Sequence, residues 1–355
     1  MARTNKKQVV KILQPLDIAI LTGLYEYRAL STEQIMRRYE LSRWYTYKKL
    51  RILRNSRLIS THPISGYLVN QNRQGSYHRI SETGISCLRE QGVPVERRAD
   101  QLRINVRHLP FLLSTNDVMI DLEAYGWKME DSRSVKAKFE LNRGANVQGM
   151  LKSPRGTDYL FYMFLHGVGM KNLMKVSNEL MDVSNPNYIL FAKSAASYKT
   201  IVEHLSTNTS VIVQCQSLKV FPYTFAKYYL RHFDDEQNVM RFLEDFKVHD
   251  LSFKTDFKDT RRKIYDGLER IVRHEGEEKY LVNLLDTDLV KIYNVRQYRK
   301  EMYELDGRKV LLITTSMTRP MHEQLLGEIH HVDYLEIDSR KLIDYLKAIQ
   351  PVPSI

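Results

Sequence analysis

Two kinds of patterning divide this chain of 355 residues and predict a multidomain α+β/α/β protein. Up to about residue 92, three short amphipathic helices follow one another and give way to two short strands and a further helix. Beyond residue 110, strand-like and helix-like segments alternate, as in an α/β body with a partly parallel sheet. A third observation is charge. Residues 1–110 carry 20 Lys plus Arg against 8 Asp plus Glu, whereas residues 111–355 are balanced at 34 each, so the whole net charge of +12 sits in the first third. The chain exceeds one ordinary core. The expected division is 1–92, a basic linker at 93–110 with Pro94 near its start, and a body over 111–350 with room for two subdomains.

Leu16, Ile20, Leu21 and Leu24 recur at helical spacing after Pro15, a residue suited to a first turn, and predict a helix to about Arg28. Ser31-Thr32-Glu33-Gln34 is a capping-box pattern opening a short helix with Ile35, Met36 and Tyr39. Ser42 then caps a third helix to about Asn55. Leu58 to His62 and Ser76 to Ile80 read as strands flanking a polar segment with Gly66, Gly75 and, near its tip, Arg73. Ser81 caps a helix through Leu88 that stops at Gly92. Helix, helix, helix, strand, wing, strand, helix is the order of a winged helix-turn-helix domain.

The positive charge is focused within this order. From Ser42 to Arg57 stand Arg43, Lys48, Lys49, Arg51, Arg54 and Arg57 with no acid among them. Clustered cations displace condensed counterions from phosphates, so double-stranded DNA is the expected partner. On the third helix Thr46, Leu50 and Leu53 form a stripe for the core, while Trp44, Tyr47, Lys48, Arg51 and Arg54 form a basic, aromatic one. Arg43 and Arg51 suit bidentate contacts to guanine, Lys48, Lys49 and Arg54 contacts to phosphate, and Arg73 an approach from the hairpin. Trp44 and Tyr47 fit two roles equally, touching a base or sugar, or sealing the helix against the hairpin.

These phrases resemble the replication-relaxation family of plasmid and mobile-element proteins. The likeness runs through Leu16 to Leu21 with Leu24 to Arg28, Leu30 to Ile35, Tyr45 to Leu53 with Leu58-Ile59, and Tyr77 to Gly84. It continues through Arg107-His108, Ser114 to Asp117 and Tyr125-Gly126-Trp127, to about residue 165. The resemblance implies a double-stranded DNA binder serving replication or mobilisation of a plasmid or phage-like element, and by itself it does not imply catalysis.

In the body, strands are expected at Val135 to Leu141, Asp158 to Leu165, Asn187 to Phe191, Ser210 to Gln214, Lys309 to Thr314 and Val332 to Ile337. Helices are expected at Asn116 to Tyr125, Lys171 to Met181, Ala195 to Leu205, Pro222 to Arg231, Gln237 to Phe246, Arg261 to Val272, Pro320 to Glu328 and Ser339 to Ile349. No internal repeat is evident. No phosphate-cradling Gly-x4-Gly-Lys loop, zinc-spaced Cys/His set or His-x-His pair occurs, and adjacent His330 and His331 read as a surface pair. No catalytic residue, cofactor or metal is expected. A metal-dependent nicking enzyme is the alternative from another class, with Asp158 as strand acid. Its acid-x-Lys strings, Asp245-Phe246-Lys247, Asp256-Phe257-Lys258 and Glu277-Glu278-Lys279, read as helical or loop-like. A transcriptional regulator whose body senses a ligand or peptide is a second alternative. Two cysteines, Cys87 and Cys215, fit a reducing cytoplasm and buried positions. The N-terminal stretch reads as neither signal peptide nor membrane span, so no membrane partner is expected. A homodimer is expected on paired half-sites; the aromatic run from Pro222 to Phe246 suits either a dimer face or, more readily, core.

Overall fold

Residues 9–10, 12–64, 75–165, 167–183, 185–251 and 267–349 are described by the computed structural model of the protein, and their contacts divide into two units, one ending at Asp121 and the other beginning at Leu122. The N-terminal unit runs α1 (Pro15–Glu26), β1 (Leu30–Ser31), α2 (Thr32–Arg38), α3 (Arg43–Asn55), β2 (Ile59–Pro63), β3 (Ser76–Ile80) and α4 (Glu82–Glu90). A 3-10 turn at Val106–His108 leads into α5 (Leu109–Glu123). Its helix starts follow from side-chain caps. Ser31 Oγ accepts from Gln34 N while Gln34 Oε1 accepts from Ser31 N, and Ser42 and Ser81 accept from Tyr45 N and Gly84 N. The strands form an antiparallel sheet in the order β1-β3-β2, with Leu30 opposite His78 and Thr61 opposite His78 on the other side. Residues 65–74, which include the expected hairpin tip and Arg73, lie outside the described residues.

Ile20, Leu21 and Leu24 of α1, Ile35 of α2, Leu50 and Leu53 of α3, and Ile85 and Leu88 of α4 are buried. Burying side chains of this size stabilises by roughly 1.5–3 kcal/mol each. The stretch expected as a linker is bonded to this unit. Tyr25 Oη accepts from Glu96 N and Arg97 N, and Arg28 donates to the Arg103 carbonyl. Helix α5 begins at Leu109 rather than near Asn116, since Pro110 in a first turn needs no amide proton. Its Asn116 amide donates to the carbonyls of Tyr27 and Ala29. Gln34, the capping residue, also reaches it, donating to the Leu113 carbonyl at 2.6 Å.

The second unit contains two five-stranded sheets laid out on one plan. The first comprises β4 (Lys128–Asp131), α6 (Ser132–Lys138), β5 (Gly149–Lys152), β6 (Asp158–Phe164), α7 (Met170–Asp182), β7 (Asn187–Ala192), α8 (Ala195–Ser206), α9 (Thr209–Ile212) and β8 (Ser217–Pro222). After α10 (Tyr223–His232) and α11 (Glu236–Glu244) come β9 (His249–Asp250), β10 (Ile271–His274), β11 (Glu277–Asn283), α12 (Leu289–Gln297), α13 (Lys300–Asp306), β12 (Lys309–Thr315), α14 (Arg319–Leu326), β13 (Val332–Ile337) and α15 (Ser339–Ala348). In each sheet the strands lie in sequence order, the first two pairings antiparallel and the last two parallel. The parallel strands β6, β7, β11 and β12 are almost wholly buried, as helices covering both faces require. The chain is thus a mixed α/β protein with partly parallel sheets. No described helix is long and apolar enough to cross a membrane.

Several expectations are corrected. Val135 to Leu141 is not a strand: Asp131 Oδ1 accepts from Arg133 N and Ser134 N and starts helix α6, with Val135 and Phe139 one turn apart on it or just past its end. Ser210 to Gln214 lies around the short helix α9, capped by Asn208. The helix expected from Arg261 to Val272 is contradicted at its end, where Ile271–His274 is strand; residues 261–266 lie outside the described set. Glu275 and Gly276 both take positive φ between His274 and Glu277, the two-residue hairpin loop that favours glycine second. Within the aromatic run Tyr229, Phe233 and Phe242 are buried and pack ring against ring at 5.4–5.6 Å, whereas Tyr223, Phe225, Tyr228 and Phe246 are half-buried. His331, expected at the surface, is buried with Nε2 2.7 Å from the Tyr298 carbonyl.

The loop after β11 carries a buried ionic knot. Asp286 lies 3.2 Å from Lys219 of β8 and 3.8 Å from Lys291, and Asp288 accepts from Ser217 Oγ and Leu218 N. Burial alone would raise the Asp286 pKa, but Lys291 and Lys219 hold it below the usual carboxylate range. Removing one member of a buried ion pair strands the other charge. Asp286→Asn is therefore expected to cost about 3–5 kcal/mol in urea unfolding, and Lys219→Met added to it to restore much of the loss.

Candidate nucleic-acid interface

Helix α3 places its residues by simple periodicity. With Thr46, Leu50 and Leu53 in the core, the opposite face carries Arg43, Trp44, Tyr47, Arg51 and Arg54, all exposed, and a half-buried Lys48. Trp44 is 71 % and Tyr47 51 % exposed. Lys48 Nζ lies 5.0 Å from the Trp44 ring centroid and the Arg43 guanidinium 6.0 Å from that of Tyr47, so cations and rings interleave along the face. Among the described residues, no carboxylate forms an ion pair with Arg43, Lys48, Arg51 or Arg54.

Lys49 departs from the expected phosphate-contacting set. Its side chain is 12 % exposed and its Nζ lies 2.8 Å from Oδ1 of the buried Asp17 in the first turn of α1. Lys49 stands three residues after Thr46 and four before Leu53, so the helix turns it toward the core side. Asp17 also accepts from Gln14 N, closing the start of α1.

Between α3 and the β2–β3 hairpin lies a cleft of about 430 Å³. Trp44, Tyr47, Lys48, Arg51 and Arg54 form one wall, Thr61 and Ser76 the other, with Thr32, Leu50 and His78 completing the lining. Sequence reasoning missed the hairpin wall, although the alternation Ser76, His78, Ile80 places the first two on one strand face. His78 is clamped by hydroxyls on both ring nitrogens: Thr32 Oγ1 lies 3.0 Å from Nε2 and Thr61 Oγ1 3.0 Å from Nδ1. Burial, with Arg54 and His62 adding repulsion, pushes its pKa down to about 4. His78 is therefore neutral at physiological pH.

The elements weighed for metal-dependent cleavage fall elsewhere. Glu277-Glu278-Lys279 opens strand β11, which corrects the helical or loop context expected for it. The Lys279 ammonium lies 2.7 Å from Asp333 and 3.5 Å from Glu277, and the adjacent β10 carries no acid. Asp245-Phe246-Lys247 follows the end of α11, and Asp256-Phe257-Lys258 lies outside the described residues. Asp158 opens β6 opposite Lys152. Among the described residues, no group of three His, Cys, Asp or Glu side chains is placed to hold a metal ion.

Compared with known proteins, residues 21–152 match the family model described as replication-relaxation. The resemblance carried by the helices and strands around α3 is thereby shown, over a segment that includes all of α2, α3 and the β2–β3 strands. No curated protein and no solved structure matches the chain.

Two outcomes follow from this geometry. Between pH 6.5 and 4 the unfolded chain binds a proton at His78 that the folded chain refuses, so stability is full above 6.5 and falls on acidification toward 4. Urea midpoints across that range should fall less steeply for His78→Gln than for the parent. Lys49→Met should lower the urea midpoint at neutral pH while leaving the salt dependence of nucleic-acid binding unchanged, because its charge is spent on Asp17.

Proposed function

We propose that the N-terminal unit is a winged helix-turn-helix that binds double-stranded DNA through α3, and that the protein serves replication or mobilisation of a plasmid or related mobile element. The observation that carries this reading is the outward face of α3, where Arg43, Lys48, Arg51 and Arg54 stand beside Trp44 and Tyr47 with no carboxylate paired to them among the described residues. An ordinary solvated helix mixes acids with its cations; this one has none from Ser42 to Arg57. The order α1, α2, α3, β2, β3, α4 with β1 completing a small sheet supports the winged arrangement. The family match supports the replication or mobilisation role.

In this reading the first turns of α3 enter the major groove. Arg43 and Arg51 reach base edges, where a guanidinium fork matches guanine O6 and N7. Lys48 and Arg54 lie against phosphates and set register without reading sequence.

Binding of fluorescent duplexes at several salt concentrations tests this. With four or five cations engaged, log affinity should fall with log salt at a slope of roughly −4. Arg51→Ala should cost about 1–3 kcal/mol on a selected site and relax base preference. An equal loss on selected and random duplex would show that Arg51 contacts only the backbone, and a slope near zero would remove α3 as a polyanion-binding face.

A further inference from the structure

A helix that only enters the major groove has no need of a concave wall beside it, yet α3 borders a cleft of about 430 Å³. That is within the range of pockets that hold small ligands, roughly 300–1,000 Å³, and its lining is unusual for a protein surface. Flat π-faces, Trp44 and Tyr47, stand on the α3 wall beside the cations Lys48, Arg51 and Arg54. Hydroxyls, Thr61 and Ser76, form the opposite wall, each able both to donate and to accept. His78 between them is fixed by Thr32 and Thr61, so its ring holds the wall in one geometry. Aromatic rings with a cationic track are the combination that holds unstacked bases and their phosphates. A fully paired duplex offers a ring nothing to stack on, since each base face is already covered by its neighbours.

We propose that this cleft takes an unpaired nucleotide adjoining the duplex, its base stacked on Trp44 or Tyr47, its phosphate against Lys48 and Arg54, and its base edge toward Thr61 and Ser76. The preferred substrate is then DNA in which one strand leaves the double helix. This rests on the duplex-binding reading of α3 and adds to it a preference for a junction.

Tryptophan emission gives a direct readout. The chain has two tryptophans; Trp127 is buried with Nε1 donating to the Leu230 carbonyl, so it supplies a constant background, while Trp44 is exposed. The full chain is titrated with a blunt duplex and with the same duplex carrying a single-stranded arm on one strand, the arm tried at either end. The arm should tighten binding about tenfold, the gain expected from stacking one base, and should quench emission well beyond the blunt duplex. Trp44→Ala should bring the affinities for armed and blunt duplex close together. Thr61→Val, which leaves the α3 face intact, should weaken the armed substrate selectively. Equal affinity for armed and blunt DNA overturns the junction preference and leaves duplex binding standing. Failure to bind either substrate overturns both.

Discussion

The rotation of α3 about its own axis is the constraint on which the N-terminal unit depends. Thr46, Leu50 and Leu53 are buried, and the Lys49–Asp17 pair ties the adjoining flank of the helix to the start of α1. At 3.6 residues per turn, fixing those positions turns Trp44, Tyr47 and Arg51 outward, with Arg43 and Arg54 exposed on the flank beside them. An uncompensated buried Asp17 is costly, so the pair acts as a register pin as well as an attraction. The cation that looks like one more member of the basic face is in fact what orients the others.

The rest of the unit holds that face in place through polar atoms with two tasks each. Gln34 closes the N-terminal cap of α2 and also grips α5 through the Leu113 carbonyl. Arg37, on the next turn, pairs with Asp117 and Asp121 of the same helix. His78 crosslinks α2 and β2 through two threonines while forming part of the cleft. Such groups are paired and directional, and Gln34 and His78 are also buried, which gives a small domain a single packing rather than several.

The second unit shows a different economy. Two sheets with the same strand order and the same succession of antiparallel and parallel pairings share one hydrophobic core. The loop between β11 and α12 reaches the edge strand β8: Asp288 pairs with Lys219 across a β-bridge and caps α12 at the same time. No repeat is evident in the sequence beneath this shared plan, because strand order is set by which surfaces are buried, and many apolar residues satisfy the same burial.

What the linear chain determined is everything local. Serine caps at 31, 42 and 81, the 3.6-residue stripe of α3, the acid-free run from Ser42 to Arg57 and the long apolar strands at 158–164, 187–192 and 309–315 all act within a few residues, where backbone sterics and capping leave little choice. Short elements with mixed pattern were decided by tertiary contact instead. Val135 and Phe139 suit a strand or a helix until Asp131 caps them, and β8 and β11 carry lysines whose burial makes sense only once Asp286 and Asp333 are beside them. The same holds for the candidate site. Arg43, Trp44, Tyr47, Lys48, Arg51 and Arg54 share a face by periodicity alone, whereas the inward turn of Lys49 and the cleft opposite Thr61, Ser76 and His78 arise from residues distant in sequence meeting in space. Pairing across such distances depends on the fold closing around it, and no local rule carries that information.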